Sequence, residues 1–213
     1  MAARQQVRTW LMVLIIAVLG IASSIYLYVH EDEQARTQVV TEARRLADGI
    51  TVAQVTALSG SSDDVGTPDY ESLKAYLTQV RKNDSSARFT YLFGKDTQDQ
   101  IFFYADSEDP SSPDYSPPGQ VYYEASPLVH ALFQHPEGAI EGPYKDRWGI
   151  WITAYAPITD TSGKTVALFG IDLPANDYLL IKIVPASVPS IVAFILILLL
   201  VSVQMMMSMR KRL

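Results

Sequence analysis

Two unbroken apolar stretches, residues 10–29 and 183–209, bracket a middle in which apolar residues recur at short, regular steps. Neither stretch holds a charged residue, and since twenty helical residues cover about 30 Å of hydrocarbon, each is long enough to cross a bilayer. Beyond the first, Val39, Ala43, Leu46, Ile50 and Ala53 follow one another at steps of four, three, four and three. That stripe predicts one continuous helical rod over residues 31–58, leading straight on from the apolar stretch. Its spacing suits packing on the chain's own core and equally a seam between two copies. A polar loop over 59–66 precedes a second helix, which Thr67 caps and Pro68 opens, with Asp69 and Glu71 at the positive end of the helix dipole. Tyr70, Leu73, Leu77 and Val80 form its buried stripe, and 83–86 ends it.

The period then changes to two. Residues 88–93 place Phe89, Tyr91 and Phe93 on one face and Arg88, Thr90 and Leu92 on the other. In 100–106, strict alternation sets Ile101, Phe103 and Ala105 against Phe102, Tyr104 and Asp106. Residues 107–119 are mostly Pro, Ser, Asp and Glu, a loop long enough to have a function and placed to cover a pocket. Ser126 and Pro127 start a short helix, 138–144 forms a third strand, and 148–174 reads as a hairpin turning at Asp160-Thr161-Ser162-Gly163-Lys164. In its first arm Ile152, Ala154, Ala156 and Ile158 alternate with Trp151, Thr153 and Tyr155. The second arm closes on Gly170-Ile171-Asp172, a carboxylate at the rim of a sheet. The order predicts an α+β fold with a five-stranded antiparallel sheet, flanked by two transmembrane helices.

The hairpin also carries a family likeness. Trp151, Ala154-Tyr155-Ala156-Pro157-Ile158, Asp160, Gly163-Lys164, Val166 and Gly170-Ile171-Asp172, just before an apolar helix, resemble the terminal hairpin of Cache domains, the extracytoplasmic PAS-like sensor modules of bacterial receptors. The resemblance spans roughly residues 31–180. It implies a long first helix across one sheet face, a ligand on the other, and a histidine kinase, diguanylate cyclase or chemoreceptor as the whole protein. In amino-acid-binding members the acid that Asp172 resembles meets the ligand amine. The Arg, Trp and Tyr spacing of those members is not found, since Arg147 and Trp148 are adjacent here and Tyr144 precedes them.

Charge supplies an orientation. All 23 acids lie between Glu31 and Asp177, against 11 basic residues there, whereas Arg4, Arg8, Arg210, Lys211 and Arg212 flank the apolar stretches with no acid beside them. Positive flanks stay inside, so both ends are expected in the cytoplasm and the middle outside the inner (plasma) membrane. The expected layout is an inner stub over 1–9, spans over 10–30 and 181–209, a sensor body over 31–180 and a second stub over 210–213. A cleavable signal peptide is the rival reading of the first span, with Ala22-Ser23-Ser24 as the small residues, but the run exceeds the usual apolar core of about 7 to 15 residues. No output domain falls within the 213 residues, so either the sequence stops after the second span or a separate protein carries the signal. A net charge of −6 gives no reason to expect nucleic acid, and the absence of Cys means that no disulfide staples the body.

The three His residues have no metal-ligand spacing, no cofactor is expected, and Ser126 near His130 is better explained as a helix cap than as a nucleophile. A pocket is the better-supported chemistry. Arg88, Tyr104, Asp106, Trp151, Tyr155 and Asp172 are the candidate ligand-binding residues: an Arg that can grip a carboxylate, acids that can take an ammonium, and aromatic walls between them. The expected ligand is an amino acid, amine or small organic acid. The alternative is a membrane-anchored scaffold whose outer body binds another protein.

Overall fold

The computed structural model describes residues 2–210; Met1 and most of the expected second stub, residues 211–213, lie outside the described residues. Two compact units emerge, a helical one formed by the chain up to residue 35 and from 179 onward, and a body over 36–178.

Helices α1 (Ala2–Ala47) and α5 (Ala175–Arg210) supply the helical unit, and both are long and apolar enough to cross a membrane. They meet through small residues. Ser24 and Ser190 share a 2.7 Å hydroxyl contact, and a Cβ on Gly20 would lie 2.4 Å from that of Ala193, so only glycine lets the two backbones approach this closely. Lys182, almost wholly buried, pairs with Asp32 at 2.7 Å and lies over the Tyr28 ring at 4.3 Å.

The body is an α+β domain. Helix α1 contributes its end, followed by α2 (Val52–Thr56), a 3-10 turn (Ser62–Asp64) and α3 (Pro68–Asn83). Strands β1 (Phe89–Lys95) and β2 (Ile101–Asp106), helix α4 (Pro127–Leu132) and strands β3 (Ala139–Lys145), β4 (Ile150–Thr159) and β5 (Thr165–Pro174) follow. The five strands form one antiparallel sheet in the order β2-β1-β5-β4-β3, the architecture the sequence pattern implies.

The predicted rod over 31–58 is not continuous. Helix α1 stops at Ala47, and the chain turns at Gly49, where a Cβ would come within 2.3 Å of the Tyr76 hydroxyl, before Thr51 caps α2 in a reciprocal box with Gln54. The break lets Ile50 and Val55 join the core rather than follow the α1 axis. The periodic stripe persists across it because Val39, Ala43, Leu46 and Ile50 all pack on the same core.

Each sheet face has its own core. Ala154, Ala156, Ile158, Ala167, Phe169 and Ile171 pack under the helices with Leu73, Leu77 and Val80. Phe89, Tyr91, Phe93, Phe103, Trp151 and Tyr155 lie on the opposite face with Tyr122 and α4. Leu77 is fully buried between α3 and the sheet, so Leu77→Ala should cost about 2–5 kcal/mol, read as a lowered melting temperature of the full chain in detergent.

Candidate functional site

The face away from α1, α2 and α3 is an aromatic layer with carboxylates at its end. Period-two alternation in β1 turns Phe89, Tyr91 and Phe93 to it, and β2 adds Ile101 and Phe103. The rings interlock, Tyr91 with Phe93 at 4.5 Å, Phe93 with Phe103 at 4.7 Å and Phe93 with Tyr122 at 5.1 Å between centroids. Trp148 closes the layer against Phe103 and Tyr122. Where this layer ends, a cavity of about 20 Å³ remains, walled by those rings together with Asp106, Asp114, Ser116, Asp146 and Asp172. A space of that size holds one water molecule.

Asp172 is the centre of the site. It is 4% exposed, and its Oδ1 accepts two hydrogen bonds, from the Tyr91 hydroxyl at 3.0 Å and from Thr153 Oγ1 at 2.5 Å. Its other oxygen, Oδ2, has no hydrogen-bond partner among the described residues, although the residue lines the cavity. Burial pushes its carboxyl up to about 7; the two hydroxyl donors work against that rise, and the negative charges of Asp146 and Glu141 add to it. Burial also holds the Tyr91 phenol far above its ordinary range, with Asp172 next in effect, so Tyr91 stays a donor.

A glycine makes this possible. Gly170 stands opposite Tyr91 in the β1–β5 register, and a Cβ there would meet the Tyr91 ring at 2.2 Å. The ring therefore lies across bare backbone and reaches Asp172, two residues along the same strand. Because Phe93 and Phe103 wall the ring in, Gly170→Ala should displace it, sever the Tyr91–Asp172 bond and cost about 1–3 kcal/mol, measurable as a fall in melting temperature that Tyr91→Phe does not match.

The other acids are already engaged. Asp146 Oδ1 accepts from the backbone N–H groups of Trp148 and Gly149 and from Trp151 Nε1, at 2.8, 2.9 and 2.8 Å, and Oδ2 accepts from the Tyr122 hydroxyl at 3.2 Å. Asp106 pairs with Lys74 at 3.2 Å and accepts from the Ser116 N–H at 2.7 Å; burial raises its pKa, opposed by those two donors.

The candidate residues separate into four groups. Asp106 and Asp172 line the cavity together. Trp151 and Tyr155 belong to the same layer but do not line the cavity; Trp151 donates to Asp146, and Tyr155 donates to Glu141 at 3.1 Å. Tyr104 lies on the helix side, its ring 4.9 Å from that of Phe102. Alternation sets Tyr104 opposite Phe103, and a bulge parts it from Asp106: Phe93 pairs with Phe103 but Leu92 pairs with Ala105, so Tyr104 is an extra residue and the parity reverses beyond it. Strict alternation therefore misassigned the end of β2, where Asp106 shares a face with Phe103 and Ala105 turns to the helices.

Arg88 is committed to the loop over 107–119. Its guanidinium bonds Glu108 at 2.7 Å and Asp114 at 2.6 Å and stacks on Phe89 at 4.0 Å. Arg81 also pairs with Glu108, and Lys74 donates to the Glu108 carbonyl, so three cations pin the loop over the cavity as its sequence position suggested. Sequence reasoning did not single out Tyr91, Phe103, Tyr122, Trp148, Thr153 or Gly170 for the site. The usable signal was the run Phe89, Tyr91, Phe93 alternating on the face opposite the helix stripe. Ser126 and His130 serve separate ends: Ser126 caps α4 and donates to Glu141, while His130 contacts Asp99 at 3.1 Å. Among the described residues no group of three His, Cys, Asp or Glu side chains is placed to hold a metal ion.

No family model matches this chain, and no curated protein matches it. Solved structures do. The ligand-binding domain of the Campylobacter jejuni chemoreceptor Tlp3, in complex with 4-methylisoleucine, is similar at 11% identity and a TM-score of 0.47, over 79% of this chain and 61% of that one. The periplasmic sensory domain of the Campylobacter jejuni chemoreceptor Tlp1 is similar at 16% identity and a TM-score of 0.42, over 75% and 60%. A type II free methionine-R-sulfoxide reductase from Thermoplasma acidophilum is similar at 9% identity and a TM-score of 0.38, over 58% and 91%. The chain thus spans about three fifths of each of the two receptor domains.

Proposed function

We propose that this chain is the input module of a membrane signal-transduction receptor, a body that senses a small molecule outside the cell membrane, held by two spans with both ends in the cytoplasm. The observation that carries the reading is Asp172: a buried carboxylate with only one oxygen held by protein donors, in the wall of an aromatic-lined cavity on the sheet face opposite α1, α2 and α3. Aromatic walls and acids with no basic side chain among the lining residues favour a ligand that presents an ammonium group, held by Asp172 and faced by the Tyr91 and Trp148 rings. Such a ligand can act by favouring one of two arrangements, and the route out is short, since β5 ends at Pro174 and α5 begins at Ala175. The reading is of a binding module rather than an enzyme, because Ser126, His130 and Glu141 are spent on a cap, a contact with Asp99 and structural hydrogen bonds.

The test is a thermal-shift titration of the full chain in detergent against ammonium-bearing metabolites and, separately, carboxylates lacking an amine. A raised melting temperature with an ammonium compound, lost in Asp172→Asn, is the expected result; no shift with any compound would sink the sensor. The lack of Cys gives a clean background for orientation. Ser61→Cys should react with a membrane-impermeant thiol reagent added to intact cells, and protection until the cells are broken would reverse the proposed topology.

A further inference from the structure

We infer that Arg88 is a carboxylate seat filled by the chain's own Asp114, so that the loop over 107–119 is an internally liganded lid. The inference rests on the proposed sensing site and concerns how that site is opened. Three observations converge. The cavity, at about 20 Å³, admits nothing larger than water while Asp114 and Ser116 form part of its wall, so a ligand can enter only if this loop moves. Ion pairs are prominent among the loop's holds, Arg88 to Asp114 at 2.6 Å, Arg88 to Glu108 at 2.7 Å and Arg81 to Glu108 at 3.4 Å, beside hydrogen bonds from the Ser116 N–H to Asp106 at 2.7 Å and between the Tyr115 and Tyr70 hydroxyls at 3.0 Å. The Arg88–Asp114 pair is the exchangeable one, because its side chains are 36% and 34% exposed, whereas Glu108 is nearly buried. Water and dissolved anions reach such a pair, and it is screened by salt.

The seat also has supports outside the lid. Arg88 is fixed by stacking on Phe89, which itself lines the cavity, and its backbone N–H donates to the Asp172 carbonyl at 2.8 Å. When Asp114 leaves, a guanidinium edge is exposed next to β5, the strand that carries Asp172. A soluble carboxylate that takes this edge replaces Asp114 one for one and holds the lid open, with no change in the charge balance at Arg88.

The experiment uses single cysteines in the Cys-free full chain, reconstituted in nanodiscs, and follows labelling by a trimethylammonium methanethiosulfonate reagent. Ser116→Cys reports the cavity wall; Val55→Cys, buried on the other sheet face, reports general loosening. Ser116→Cys should label slowly in sodium chloride and several-fold faster in sodium acetate of equal ionic strength, with Val55→Cys unreactive in both. Adding Asp114→Ala should make Ser116→Cys label fast in either salt. Equal rates in acetate and chloride, no acceleration by Asp114→Ala, or parallel acceleration at Val55→Cys would each overturn the internal-ligand lid. Failure here with ammonium binding intact removes the lid alone; success here with no ammonium ligand found removes the sensor reading alone.

Discussion

Asp172→Asn should make the protein more stable above neutral pH and, in the same step, insensitive to its ligand. Folding takes this carboxyl from an ordinary value near 3.9 to about 7, so between those limits the native state holds a proton that the unfolded chain has released. Stability must therefore fall as pH rises from about 4 to about 7 and stay level beyond, a loss on the order of 4 kcal/mol from this group. The Asn side chain carries no charge at any pH, keeps an acceptor for Tyr91 and Thr153, and removes that slope. The check is the difference in melting temperature between parent and variant from pH 4 to pH 8, which should widen in favour of the variant up to neutrality and then level off. Asp106, also raised by burial, leaves a residual slope of the same sign in both proteins. Carboxylates held low, Asp64 by its Ser59 and Gly60 hydrogen bonds and Asp160 by Ser162 and Lys164, lose their contribution only as pH falls below the ordinary carboxylate range, outside this window. A variant curve parallel to the parent would show that Asp172 is ionised throughout.

Asp146→Ala should have the largest effect of any single change to the aromatic layer, and it is destructive rather than selective. One carboxylate satisfies two backbone N–H groups, the Trp151 indole and the Tyr122 hydroxyl, fixing the turn between β3 and β4 and two walls of the layer at once. Removing it orphans those donors together, at a cost on the order of 3–5 kcal/mol. Asp146→Asn retains an oxygen for the three donors at Oδ1 and should lose much less. Chemical denaturation of the two variants separates them; equal losses would mean that charge, and not hydrogen-bond count, is what the turn needs. The same reasoning explains why Asp146 lines the cavity without being a ligand group in the proposed site.

How legible the site was depended on the kind of information each residue carries. Asp172 could be read from sequence because it ends an apolar strand, and no core accepts a carboxylate there without a reason. Trp151 and Tyr155 were assigned to the correct face by alternation, yet their polar ends turned out to be used by Asp146 and Glu141, partners that fold in from β3 and the turn after it. Arg88 looked ready for a ligand carboxylate, and its partners are carboxylates of the loop twenty and more residues downstream. Tyr104 and Asp106, which periodicity puts on one face, lie on opposite faces. A single inserted residue in β2 reverses the parity, and nothing in Ile101-Phe102-Phe103-Tyr104-Ala105-Asp106 marks where the extra residue sits.

Local chemistry therefore set the elements: two apolar stretches of spanning length, a capped α3, strands of period two, and turns rich in Gly, Asp and Ser, all of which follow from the preferences of a few neighbouring residues. Three-dimensional packing decided the rest. The turn at Gly49 that follows α1, the crossing of the Tyr91 ring over Gly170, and the place of Asp172 in the wall of a water-sized space each depend on groups far apart in the chain. Which donors meet which acceptors is fixed only when the strands take their register, and period alone says nothing about that.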